Sequence, residues 1–465
     1  MTGPENENAV HSMPGGGQPR RLRPPNWRRD ALRTTFWVVP VLLIGVAIIC
    51  FVATFEIDLA AFHHGLTLPR WVRTGSADAG RQVLIAIAAA IITTIGVVFS
   101  ITILALTLSS QQFGPRMMRN FIRDIGNQMT LGVFVATFVY AVLGLGSITG
   151  LPGGNFVPHL TITVAEALLL LDLAVLIYFI HHIAKTIQLP EVIASIARDL
   201  DRAIDAEFPG EAVIGERVRP PEPAADLIEK LNTRGAVVTA KHSGYLQFVG
   251  YGQLIAIAET LDAVIRLAYR PGHFVVANRP LATVWPSGAA GQVEVALDKA
   301  HITGPHRTLT QDPVFAIDQL VEIAIRALSP AVNDTFTALT CIDWLSAGLS
   351  NISSRDLQEG VYQGRSGKVR LIESDPSYSR MVNRAFDKVR QAGHGMPAVL
   401  IRLLDALDHI ADSTKSSEQR AILVRQAKMI MHGVEAEVSE PNDVADIRHR
   451  SEQFSQTCQA MDDAS

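Results

Sequence analysis

"EALLLLDLAVLIYFI", Glu166 to Ile180, is the stretch that decides the class of fold. Apart from its two carboxylates it is wholly apolar or aromatic. It sits in a run at about 160–183 that is long enough to cross a bilayer, which takes about 20 residues. Three further runs have that length, at about 35–55, 83–108 and 129–148. Charged residues make up 18% of the 465 residues, against about 25% in soluble domains, and mean hydropathy is +0.21. The expectation is a mainly α membrane protein. It has four transmembrane helices, then a cytoplasmic α+β domain with a small β-rich subdomain and a helical C-terminal part.

Asp172 falls near the middle of its span, with Glu166 about two turns nearer the outside. A carboxylate at the bilayer centre costs about 2.5–3.5 kcal/mol on insertion scales and by default has a polar role. Depth along the spans puts Tyr140 and Thr93–Thr94 at a similar level, as its candidate partners. Two uses stay open. Asp172 is a protonatable or ion-contacting group on a polar path, or it is hydrogen-bonding glue between helices. Span two also carries Ser100, Thr102 and Thr107, and span three Gly132, Thr137, Gly144 and Gly146, all residue types that let helices approach closely.

Residues 1–34 are polar and basic, with Arg20, Arg21, Arg23, Arg28, Arg29 and Arg33, and read as a disordered arm. The apolar run behind them is too long for a signal-peptide core and reads as a retained span. The arm and loop 109–128 hold nine arginines; the opposite loops hold three, Arg70, Arg73 and Arg81. That bias predicts a multi-pass inner-membrane protein with both termini in the cytoplasm. In "SSQQFGPRMMRNFIRD", Ser109 to Asp124, Pro115 interrupts the helix and Arg116, Arg119 and Arg123 share one face. This elbow reads as an interfacial helix, an anionic-lipid site or a basic collar at a pore mouth, with Gln111 and Gln112 beside it.

Beyond span four, residues 184–208 continue it as an amphipathic helix with Ile193, Ile196, Ala197, Leu200 and Ile204 on one stripe. A Pro-rich linker ends that segment at about 223. A β-rich subdomain is expected at 224–290 and a helical one at 291–460. The stretch "RPGHFV…RPLATV" resembles the turn-and-strand signature of lipoyl- or biotinyl-type small barrels, without the modifiable lysine at the tip, so no attached cofactor is expected. In "RALSPAVNDTFTALTCIDWL", Arg326 to Leu345, Ser329-Pro330 ends one helix, and Asn333 or Asp334 caps the next. That corner is a structural turn or a subunit contact.

These features together resemble one family. Four spans, "SSQQFGPRMMRNF", "SGYLQ", "RPGHFV…LATVWP" and above all "RTLTQDPVFAIDQLVEIAIRALSPAVNDTFTALTCIDWL" are similar to the bacterial predicted membrane proteins grouped as domain of unknown function 2254. Thr335 stands where that pattern often has Pro. The resemblance implies a bacterial inner-membrane protein and brings no catalytic residue with it.

No P-loop, GxSxG or HExxH motif occurs, and the three cysteines form no CxxC pair. The neighbours His63-His64 and His181-His182 point to different helix sides and make poor metal pairs. The expectation is therefore no enzyme, no cofactor, no metal and no nucleic-acid partner. What remains is an oligomeric ion channel or ion-conducting protein with a cytoplasmic regulatory domain, or a membrane-anchored scaffold or signalling module without transport. A homo-oligomer in the lipid bilayer is expected.

Overall fold

The computed structural model describes residues 37–64, 72, 75–113, 124–148, 150–151, 154–208, 224–355, 360–373, 377–414 and 416–463. The basic arm, Arg116, Arg119, Arg123 and the Pro-rich linker fall outside the described residues, as do the side chains of Gln111 and Gln112. Chain contacts divide the molecule into two units.

The first unit holds the spans. Four helices are long and apolar enough to cross a membrane: α1 Val38–His64, α2 Ala77–Phe113, α3 Ile125–Ser147 and α4 His159–Thr186. A short hairpin, β1 Gly150–Leu151 and β2 Gly154–Asn155, joins α3 to α4. The helices run past the apolar runs that mark them, because a hydropathy window ends at the first polar residue while backbone hydrogen bonding does not. Residues 56–64 therefore belong to α1, beyond the end expected for span one at about 55.

Helix α3 is the most enclosed span and packs against the other three. Its approach to α1 needs a glycine. A Cβ on Gly132 would lie 2.6 Å from Leu43 Cδ1 and 3.1 Å from the Pro40 backbone. The outward faces are large and apolar, as at Leu42, Ile49, Ile92, Phe99, Leu170 and Ile177, which suits lipid.

After Thr186, a break at Ile187–Gln188 precedes α5, Leu189–Glu207. The expected continuous helix is thus interrupted, since Pro190 has no amide hydrogen for Thr186 O and its ring crowds that carbonyl, while it suits the first turn of a new helix. The expected stripe holds: Ile193, Ile196, Ala197, Leu200 and Ile204 are all buried.

The same unit contains six further helices: α9 Pro313–Ala327, α10 Thr335–Ser353, α11 Tyr378–Ala392, α12 Pro397–Asp412, α13 Ser417–Glu437 and α14 Pro441–Asp463. The corner between α9 and α10 is built from the backbone outward. Asn333 is left-handed at φ 49°, a conformation its short side chain tolerates. The Asp334 amide bonds Ala327 O at 2.8 Å. Its carboxylate caps α10, accepting from Thr337 N at 3.1 Å and Thr337 Oγ1 at 2.6 Å.

The second unit, described over 204–208, 224–312, 355 and 360–373, is α+β. Its helices are α6 Ala224–Arg234, α7 Tyr251–Thr260 and α8 Ala290–Ala300. Its strands are β3 Ala236–Thr239, β4 Gly244–Val249, β5 Val264–Leu267, β6 Phe274–Val275, β7 Pro280–Trp285, β8 His301–Gly304, β9 Val361–Gln363 and β10 Val369–Ile372. One sheet has the order β3-β7-β5-β10-β9, the other β6-β4-β8. Leu246, Leu254, Ile265, Val284, Val293, Leu297 and Leu371 fill the core between them.

Two expectations change here. The region from 291 on is not purely helical: β8, β9 and β10 lie in it. Strand β10 pairs in parallel with β5, Leu371 opposite Ile265, and a parallel pairing across some hundred residues leaves no local periodicity to read. The turn-and-strand likeness of "RPGHFV…RPLATV" does not extend to pairing within the stretch, because β6 pairs with β4 while β7 pairs with β3 and β5.

The turn before β6 explains part of the family stretch. Gly272 has φ 90°, and a Cβ there would meet the Asp312 carboxylate at 2.1 Å. Asp312 is buried and takes both arms of Arg307, at 2.8 and 2.9 Å. Gln311 pairs through its carboxamide with the N–H and C=O of Val249, at 2.8 and 3.2 Å, so a side chain closes the end of β4.

His301 opens β8 opposite Val249, and both its ring nitrogens are buried without a hydrogen bond. Burial pushes this imidazole down to about 4 from 6.5, opposed by the nearby Asp298 charge. Between those values the unfolded chain binds the extra proton, so acid favours unfolding. We expect stability to fall as pH drops from about 6.5 to about 4, and His301→Gln to flatten that part of a thermal-unfolding pH profile.

Candidate functional site

The candidate site is the polar interior of the four spans. It starts at the N-terminus of α4. The cap position there is Pro158, which offers no side-chain hydrogen bond, so the first amides of α4 need an acceptor from elsewhere. Asp58 of α1 supplies it. Asp58 Oδ1 accepts from Leu160 N at 2.9 Å, and Oδ2 accepts from Thr161 N and Thr161 Oγ1, each at 2.9 Å. Three donors and the positive end of a helix surround this buried carboxylate.

The network continues one turn back along α1. Thr161 Oγ1, its hydrogen given to Asp58, stands 3.3 Å from Thr54 Oγ1, and the Thr54 and Tyr140 hydroxyls are 2.8 Å apart. Tyr140, on α3, is fully buried, with Phe51 edge-on to its ring. Three spans are thereby joined by one chain of hydrogen bonds.

Asp172 lies deeper, half-way along α4, at 2% exposure. Thr137 Oγ1 donates to its Oδ1 at 3.2 Å. Its Oδ2 is buried with no hydrogen-bond partner. The expected partners are not the ones found. Tyr140 is turned to Thr54, one turn of α3 beyond Thr137. Thr93 and Thr94 sit on an exposed face of α2 and return their hydroxyls to Ala89 O and Ala90 O, at 2.8 and 2.9 Å. Matching depth identified the right level but not the direction each side chain faces. Glu166 is half-buried on α4.

At the other end of the spans Asp124 caps α3 through Gly126 N, at 2.9 Å, and its second oxygen meets His182 Nε2 of α4. Tyr178 stacks on the His182 ring at 5.4 Å. Asn127 is buried in the first turn of α3, with neither carboxamide atom bonded. Buried Phe134, Phe179 and Ile183 belong to the apolar core of the spans. By position on α3 and α4, Phe134 and Phe179 fall between this end and Asp172. The bundle interior is therefore polar at both ends and at mid-depth, with an apolar layer in between.

No cluster of metal-ligating side chains occurs among the described residues. Arg326, Ser329, Pro330, Asn333 and Asp334 form the helix corner described above, with Ser329 Oγ donating to Arg326 O at 2.7 Å. Asp58, Thr54 and Thr161 went unread as site residues. Their signal is the Thr54–Asp58 spacing of four, which puts two polar groups on one helix face across the end of an apolar window.

Residues 33–409 match a family model described as predicted membrane protein, DUF2254. The chain belongs to the DUF2254 family. The match takes in the four spans and the α9–α10 corner. Two mycobacterial proteins are similar over most of their length. They are the uncharacterized proteins Rv1290c of Mycobacterium tuberculosis (strain ATCC 25618 / H37Rv) and Mb1321c of Mycobacterium bovis (strain ATCC BAA-935 / AF2122/97). Each is 31% identical over 424 residues, covering 90% of this chain and 79% of its own. No solved structure matches the chain.

In this DUF2254 protein the two buried acids should respond differently to substitution. Asp58→Ala strands two amides and a hydroxyl and is expected to cost about 1.5–3 kcal/mol, the usual range for a hydrogen-bonded charge. Asp172→Asn keeps an acceptor for Thr137 and should cost much less. Thermal unfolding in lipid nanodiscs reads the difference.

Proposed function

We propose that this protein handles protons or small cations inside its four-helix bundle and relays the occupancy of that site to its region outside the membrane. The carrying observation is Asp172, closed off within one chain, with one oxygen held by Thr137 and the other unpaired. A carboxylate oxygen left open in a low-dielectric interior is a place to accept a proton or a cation. The arrangement favours a path inside each bundle over a pore lined by Asp172 between subunits, since Asp172, Thr137, Tyr140 and Thr161 all face inward. The arginine bias orients the bundle with both termini in the cytoplasm of an inner membrane. Asp58 and Thr161 then stand at the outer end, and Asp124 and His182 at the inner end. The protein is read as a non-enzymatic transporter or channel that assembles from copies of itself.

A signalling module without transport is the second reading. The two-residue joint between α4 and α5 favours it, because a movement of α4 passes directly into a helix buried along one stripe. Flux separates the two. Protein reconstituted in liposomes with an internal pH dye should dissipate an imposed pH or cation gradient, and Asp172→Asn should slow this at least tenfold while the fold is kept. Equal flux in wild type, Asp172→Asn and protein-free liposomes would leave the signalling reading alone.

A further inference from the structure

The corner between α9 and α10 carries apolar side chains where the fold does not use them. Phe336 is 83% exposed and Val332 54%. They flank the left-handed Asn333 and the capping Asp334, so the turn that holds them is fixed. Val332 N and Asn333 N both bond Ser329 O, at 3.0 and 2.9 Å, and Asp334 N bonds Ala327 O. A rigid turn that presents two large apolar groups outward is a feature that buried packing of α9 on α10 does not require.

Its place in the fold says what covers it. Helix α10 runs in the same direction as α5. The Leu200 side chain would come within 2.4 Å of a Cβ on Gly348. Asn351 Nδ2 donates to Asp201 Oδ1 at 3.3 Å. Arg355, just past α10, bonds Ile204 O at 3.4 Å and also reaches Phe208 O. Position rises along both helices together. Phe336 precedes Gly348 by about 18 Å of helix at 1.5 Å per residue. The same distance back from Leu200 reaches Gln188, in the joint where the chain leaves span four. Packed helices stand about 8–10 Å apart, so the corner lies level with the membrane exit. The exposed face of α5 carries Glu191, Arg198, Asp201, Arg202 and Asp205. That acid-rich face differs from the Lys/Arg-rich face of helices that lie in an interface, so α5 and α10 lead away from the lipid and the corner faces it.

We propose that the Val332–Phe336 tip is a membrane-surface anchor that inserts its two apolar side chains among the lipid headgroups next to span four. Placed there, the tip fixes the helical region against the bilayer at a second point besides the α4–α5 joint. Trp344 lies on the same face of α10, two turns further from the surface and 37% exposed.

A thiol-reactive fluorophore tests this on the full chain in nanodiscs. Cys50→Ala removes the cysteine within a span. Cys341 and Cys458 are buried, and burial pushes their thiols up to about 12 and about 11, which disfavours the reactive thiolate. Labels are placed by Phe336→Cys and, separately, by Val332→Cys; Ser354→Cys at the far end of α10 reports water. The proposal predicts at least a twofold loss of emission at 336 and 332 with lipids nitroxide-labelled near the headgroup. Iodide in the buffer should quench the label at 354. Quenching at 336 and 332 by iodide alone would overturn the proposal. So would protection of both from lipid and iodide, the result expected if a second copy covers the tip.

Discussion

Asp58 receives the first amide hydrogens of α4, and the order of the membrane region follows from that contact. A helix that begins inside a bundle with Pro158 at its cap position has orphan donors and no local acceptor. Leaving them unpaired in a nonpolar interior costs more than any single apolar contact returns. Drawing the acceptor from α1 fixes the height of α1 against α4. The Thr161, Thr54 and Tyr140 hydroxyls then extend the same chain of hydrogen bonds to α3. Once these three helices are set, Thr137 stands one turn below Tyr140 and faces Asp172. The satisfied acid positions the unsatisfied one.

This division gives the two buried carboxylates different work. Asp58 has a full set of donors and a helix terminus, the environment of a structural anion. Asp172 has one donor and one open oxygen, the environment of a group that changes state. The Phe134 and Phe179 layer lies between Asp172 and the Asp124–His182 pair. Helix α4 is also the span that leads through Ile187 and Gln188 into α5. In the proposed function, this one element carries both the occupancy of Asp172 and the link to α5, which is a physical basis for coupling.

The sequence made the spans plain, because an apolar run of bilayer length has few other readings. The α5 stripe, the Asp334 cap and the α9–α10 corner were equally legible, each resting on spacing within a few residues. Partnership across helices was not. Asp172 stood out by type and depth, yet Thr137 and not Tyr140 faces it, and Thr93 and Thr94 point outward. Rotation about a helix axis is set by packing, as at Gly132 against Pro40, and that is not encoded in hydropathy. Asp58 was hidden by the end of an apolar window. Strand β10 was hidden because its partner β5 lies about a hundred residues earlier, and the short edge strand β9 pairs only with β10.

The central claim is that Asp172, and not Asp58, is the group that changes protonation or ion occupancy inside the bundle. Infrared difference spectroscopy on the protein in lipid, before and after a pH or cation jump, measures carboxyl-to-carboxylate conversion of buried acids. The account predicts a reversible signal that Asp172→Asn abolishes and Asp58→Asn leaves in place. A signal that survives Asp172→Asn and disappears with Asp58→Asn would contradict it.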